Sequence, residues 1–182
     1  MPGAAVVFAV ACAFASAALA QDYPKLRVGQ WELTTLSSRA GAKPAKSTLC
    51  TDDAIQKEML TMGAGMTREM CTRNETRREG QKYFGSAECR IGESTMVSKS
   101  VMTLTGDTAY RTEIKATYDP PMMGMKESQT TLEGKYVGPC RDGLVPGDFI
   151  GPNGQKYNVK GIASMKGAPP TAQPKSPAKA PQ

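Results

Sequence analysis

Histidine is absent from this 182-residue chain. That absence removes Ser-His-Asp and Cys-His catalysis, both of which need an imidazole base. It also removes imidazole ligation of zinc or copper and any switch driven by a titrating histidine. Aromatic residues are scarce, at 6%, with a single tryptophan. An interior must therefore lean on Val, Ile, Leu and Met. No Cys-x-x-Cys spacing occurs, which argues against a redox dithiol or a thiolate zinc site. No internal repeat stands out.

What is present is ordinary globular composition, 40% hydrophobic and 22% charged, with a formal charge of +6 and a pI near 9.1. One domain is expected at this length. Residues 1–20 carry no charged side chain and end in Ala18-Leu19-Ala20 before Gln21. That pattern reads as a signal peptide with an A-x-A cleavage site, the alternative being an uncleaved anchor. Residues 21–166 are then the folded domain, in the periplasm or secreted, with no span left after cleavage. Residues 167–182 hold prolines at 169, 170, 174, 177 and 181, two lysines and no aromatic. That composition predicts a disordered, basic Pro/Ala-rich tail.

Cys12 belongs to the leader, so four cysteines remain. An even number in an exported chain implies two disulfides, for which three connectivities exist. Residues 72–77 and 82–88 read as two strands around Gly80. Cys71 and Cys89 are equidistant from that glycine and should face each other across the hairpin. The expected bonds are Cys71–Cys89 and Cys50–Cys140.

Residues 28–38 alternate, with Trp31, Leu33 and Thr35 on one face, and predict a strand. A second strand is expected over 46–50. Thr51 is placed to cap a helix through Ile55 and Met59 that stops near Gly63, where Gly63-Ala64-Gly65 acts as a breaker. Residues 95–105 and 108–118 flank Gly106-Asp107, which suits a two-residue type II′ turn. In that register Tyr110 opposes Thr103, and Val97, Val101, Tyr110, Ile114 and Tyr118 share a face. Pro120 and Pro121 cannot continue a ladder. A strand returns over 126–137, and a last short one is expected at 157–162. The fold class is mainly β: an antiparallel meander of six or seven strands, curled or barrel-like, with one short helix between strands two and three.

Several pieces together resemble a bacterial family catalogued as domain of unknown function 3617. They are Val28-Gly29-Gln30-Trp31-Glu32-Leu33-Thr34, then Leu49-Cys50-Thr51 before an acidic helix start. Cys71 and Cys89 follow, and Gly134-Lys135-Tyr136-Val137-Gly138-Pro139-Cys140 closes the match. The resemblance covers about residues 26–140. It implies an exported envelope protein without an established activity, and it supplies no catalytic residues.

Candidate chemistry is limited. The face with Trp31, Val97, Val101, Tyr110, Ile114 and Tyr118 is the candidate for lining an apolar ligand cavity. Methionine is enriched, at 11. Met59, Met62, Met66 and Met70 form one set and Met122, Met123 and Met125 another. Thioethers select Cu(I), and adaptable core filler is the plainer reading. Arg68, Arg73, Arg77, Arg78, Lys82 and Arg90 gather around one hairpin and could meet an anionic envelope component. Nucleic acid is disfavoured by export and by the lack of interleaved aromatics. Glu75, Glu88 and Glu113 are carboxylates with no distinguishing environment, so no catalytic residue is assigned. The expectation is a non-enzymatic module without a cofactor that binds an apolar or anionic envelope component, such as a lipid. A methionine-based Cu(I) protein is the alternative, and a carboxylate-dependent hydrolase comes after it.

Overall fold

A computed structural model describes residues 23–39 and 41–160. The expected leader lies outside the described residues, as does the expected tail. The elements in chain order are β1 (Gly29–Ser37), β2 (Ala45–Thr51), α1 (Asp53–Met70), β3 (Cys71–Glu79), β4 (Lys82–Ile91), β5 (Ser94–Thr105), β6 (Ala109–Met122), β7 (Met125–Gly138), β8 (Asp148–Ile150) and β9 (Lys156–Asn158).

They form one antiparallel sheet in the order β3-β4-β5-β6-β7-β1-β2-β8-β9. The meander is in sequence order only from β3 to β7. The first hairpin, β1–β2, docks beside β7 rather than beside β3. The sheet is mainly β with a helix between the second and third strands, as expected, and it stays open, with β3 and β9 at its edges. Among the described residues it has nine strands, where six or seven were expected. β8 was not anticipated, because three residues are too short to show an alternation.

The helix departs from expectation at both ends. Its cap is Asp52, whose Oδ1 accepts from the Ile55 N–H at 2.7 Å; Thr51 is instead the buried last residue of β2. α1 also runs on through Gly63 and Gly65 to Met70. Each glycine costs roughly 1 kcal/mol against alanine in a helix. Anchorage at both ends offsets that cost. Asp52 caps the start, and the C-terminal neighbour Cys71 donates its N–H to Thr67 O and is bonded to Cys89.

The two disulfides are Cys71–Cys89 and Cys50–Cys140. In the β3–β4 hairpin Glu79 pairs with Lys82, so the ladder is centred between Gly80 and Gln81. A register shift between Cys71 and Arg73 then brings Cys71 opposite Cys89. The second bond spans the end of β1, joining β2 to the segment that leaves β7, the two strands that flank it.

The β5–β6 hairpin corrects the expected register. Thr105 pairs with Ala109 and Leu104 with Tyr110, so the loop has three residues, Gly106, Asp107 and Thr108, with Gly106 at φ 60°. A slip of one residue moves a whole strand's side chains to the other face. Val97 and Val101 therefore face Thr117 and Glu113, on the reverse side from Tyr110, Ile114 and Tyr118. Met102 and the buried Leu104 take the side of Tyr110. The longer loop is favoured because it buries Leu104 and sets Met102 on the same side as that ring. In the β6–β7 hairpin the ladder breaks after Thr117–Glu127 and resumes at Met122–Met125. Pro120 and Pro121 occupy that gap, where no backbone donor is needed.

Candidate functional site

Residues opposite each other on neighbouring strands share a face. Tyr110 opposes Gly134, Gly134 opposes Leu33, and Trp31 opposes Leu49 and Tyr136. The face so defined carries Trp31 and Leu33 from β1, Leu49 and Thr51 from β2, Met102 from β5, Tyr110 and Thr112 from β6, and Leu132 from β7. Gln56, Met59 and Leu60 of α1 cover these residues from above, and Tyr23, Pro24 and Leu26 close one side. Together they bound a cavity of about 430 Å³, within the ~300–1,000 Å³ usual for small-molecule sites.

The cavity exists because α1 is tied at its two ends and buries almost nothing of itself between them. Ile55 is its single buried residue, and it packs against Gly147. One turn later Met59 and Leu60 are 38% and 37% exposed although both face the cavity. Apolar side chains that line a space without filling it leave that space to something else.

Three glycines shape the floor. A Cβ on Gly134 would overlap the ring of Tyr110, which lies across β7 at that position. A Cβ on Gly29 would overlap the Gly138 carbonyl oxygen. Gly29 and Gly138 also sit at φ 132° and 134°, backbone that favours glycine, beside the irregularity in the β1–β7 register. This close approach is the physical content of the Gly-x-Trp and Gly-Lys-x-x-Gly motifs.

The wall is held by a small set of polar contacts. Trp31 is 1% exposed, and its Nε1–H donates to Arg27 O at 2.9 Å. Its ring meets Tyr110 at 5.7 Å and Tyr136 at 6.0 Å between centroids. The Gln56 amide clips Leu26 twice, accepting from its N–H at 3.2 Å and donating to its carbonyl at 2.9 Å. Next to it Arg27 is tied to Asp107 by a backbone bond of 2.9 Å and an ion pair of 3.1 Å. Thr51 Oγ1 donates to Asp52 O. Among the described residues no charged side chain lines the cavity, and burial raises the Tyr110 phenol above its ordinary 10.0, so that it too stays neutral. Such a wall suits an apolar guest without formal charge inside the cavity.

The structure distributes the expected site residues unevenly. Trp31 and Tyr110 line the cavity. Ile114 and Tyr118 share that face farther along β6, where Tyr118 Oη bonds Ser128 Oγ at 2.9 Å. Val97 and Val101 lie on the reverse face, and Val97 is 45% exposed. Met59, Met62, Met66 and Met70 follow one another along the unbroken helix, and Met122, Met123 and Met125 sit at the β6–β7 turn, apart from the cavity. The arginine cluster is interleaved with acids: Arg73 pairs with Glu75 at 3.8 Å and Arg77 with Glu79. Glu113 pairs with Arg111 at 3.2 Å. Glu88 lies opposite Arg73 and Val97. Among the described residues no three His, Cys, Asp or Glu side chains gather to hold a metal, and no helix is long and apolar enough to cross a membrane.

Sequence reasoning missed Leu33, Leu49, Leu60, Leu132, Met102 and Gln56 as cavity residues. The alternation in β1 already placed Leu33 beside Trp31, and the correct β5–β6 register would have added Met102. Gln56 gave no signal, since its role depends on a segment 30 residues away.

A family model described as protein of unknown function (DUF3617) matches residues 26–140, which span β1 to β7 and Cys140. No curated protein and no solved structure matches.

Proposed function

The chain belongs to the DUF3617 family, and from that premise we propose that it is a non-enzymatic carrier or sensor of an apolar chain, taken into the cavity under α1. One observation carries the reading: a cavity of about 430 Å³ walled by apolar and neutral side chains, with half-exposed Met59 and Leu60 at its helix side. Burying each methylene there gains about 0.8 kcal/mol. The two disulfides fit an oxidising compartment, and an N-terminal leader delivering the chain to the periplasm or the medium belongs to the same proposal. A lipid acyl chain of the cell envelope is then the ligand class.

Trp31 is the chain's one tryptophan and lines the cavity, so it reports occupancy directly. Delipidated protein titrated with saturated fatty acids should show a saturable change in Trp31 emission. Leu60→Asp, at a position the fold already exposes, should weaken binding by about tenfold or more, consistent with a charge set against an apolar chain. An emission spectrum that stays the same across chain lengths would sink the reading.

A second reading draws on the helix continuing through Gly63 and Gly65. That continuity aligns Met59, Met66 and Met70 on one stripe of α1 with Met62 beside them. Thioethers so spaced suit Cu(I). Retention of Cu(I) against a competing chelator, lost on replacing Met66 and Met70 by leucine, would favour it over the carrier.

A further inference from the structure

The two edges of the sheet are not alike. β9 is three residues long, whereas β3 is nine residues long, lies at the opposite edge, and is exposed at every residue after Cys71. Long edge strands are usually blunted by charged side chains, proline or a bulge. The sequence Cys-Thr-Arg-Asn-Glu-Thr-Arg-Arg-Glu has no proline, its one irregularity is confined to the Cys71 end, and its charges are of both signs, so they repel a neighbouring strand only in some registers.

The charges on β3 follow a rule. Arg73, Glu75, Arg77 and Glu79 oppose Glu88, Ser86, Phe84 and Lys82 of β4, so all four project on one face. Read along the strand, that face is plus, minus, plus, minus. Such a row is complementary to itself when a second copy runs antiparallel about Thr76. Arg73 then meets Glu79 of the second copy, Glu75 meets Arg77, and Thr76 meets Thr76. On the other face Asn74 meets Arg78. A shift of the centre to Glu75 sets Glu75 against itself and Arg73 against Arg77. A shift to Arg77 sets Arg77 against itself and Glu75 against Glu79. A slip by one residue offsets the faces. One register alone therefore places opposite charges together along the whole strand.

We propose that β3 is a homodimer edge, pairing antiparallel with β3 of a second copy about a two-fold axis at Thr76. Backbone groups of the exposed edge supply the attraction and the Arg/Glu row supplies the register. The symmetry is isologous and closed, so the contact ends at two copies and does not propagate. The ion pairs within the strand, Arg73–Glu75 and Arg77–Glu79, become parts of a row in which each arginine has a glutamate on either strand. The proposal is independent of the cavity and of what it holds.

Sedimentation equilibrium on the disulfide-intact protein tests it. Wild type should dimerise with concentration, less so at about 1 M salt, where the Debye length is about 3 Å. Glu75→Arg/Glu79→Arg and Arg73→Glu/Arg77→Glu should each raise the dimer dissociation constant by about tenfold or more, since like charges then face each other. An equimolar mixture of the two should recover a heterodimer. Thr76→Lys, which meets itself at the two-fold, should dissociate the dimer without touching the charge row. Unchanged Trp31 emission certifies the fold of each variant. A wild type that stays monomeric, a dimer that survives both reversals, or reversed chains that fail to recombine would each overturn the proposal.

Discussion

At the scale of single residues, glycine separates into two kinds that the sequence alone does not distinguish. Gly134 lies under the Tyr110 ring, and any side chain there overlaps it. Gly134→Ala should destabilise by about 1–3 kcal/mol, as overpacking in a filled site does. Urea denaturation would show it, and pairing the change with Tyr110→Leu should recover part of the loss. At Gly63 and Gly65 a methyl group would meet nothing within 4 Å, and both sit in regular helix. Gly63→Ala should therefore stabilise by about 0.5–1 kcal/mol, read as a higher midpoint at unchanged slope. The motif glycines were legible as a resemblance, but their reason was not. It requires knowing that β1 lies beside β7, a close approach of Gly29 to Gly138 across a long stretch of chain that no local pattern encodes.

At the scale of elements, what was legible is what local pattern controls. Alternation in β1, the proline gap in β6 and the facing of Cys71 and Cys89 across the β3–β4 hairpin all survive in the structure. What was not legible is where tertiary anchorage overrides propensity. The helix crosses two glycines because both its ends are tied, and the β5–β6 loop takes a third residue because Leu104 gains burial and Met102 comes to the side of Tyr110. β8 and β9 are too short to show an alternation and are held together by a side-chain clip instead. Asp148 is buried and bonded to Lys156 Nζ at 2.8 Å, to the Val145 N–H at 2.9 Å and to Asn158 Nδ2 at 2.9 Å. The Lys156 ammonium first, then the Val145 N–H and Asn158, hold its carboxyl at about 2, below the ordinary 3.8. A depressed carboxylate contributes stability that is complete above the unfolded-state value and is lost as pH falls through the folded-state value. The clip should therefore weaken between pH 3.8 and about 2. Asp148→Asn should be less stable than wild type at neutral pH and show a flatter acid limb over that interval. Thermal melts across the range would reveal identical slopes if the clip were irrelevant.

For the whole molecule, the sheet, the helix and the N-terminal segment act together to keep one space open. β1, β2 and β5–β7 supply the floor, Ile55 pins one end of α1, Cys71 pins the other, and the Gln56 clip on Leu26 draws residues 23–27 across the side. Closing a loop as long as that spanned by Cys50–Cys140 stabilises by about 4–5 kcal/mol in the chain-entropy model, so the scaffold can bear an interior that is not filled by its own side chains. If an apolar chain occupies that interior, affinity must follow burial. Each added methylene should tighten binding about fourfold, from ~0.8 kcal/mol per group, until the cavity of about 430 Å³ is full. Beyond that length the gain should stop, because further methylenes remain in water. Since no charged side chain among the described residues lines the wall, a fatty acid and its methyl ester of equal length should bind within a few-fold of each other, with the head group left at the mouth. Trp31 titrations over a homologous series measure both slopes at once. A flat dependence on chain length would mean that the guest is gripped by something other than the apolar floor, and a strong preference for the free acid would place a cation at the mouth that the cavity's own lining does not contain.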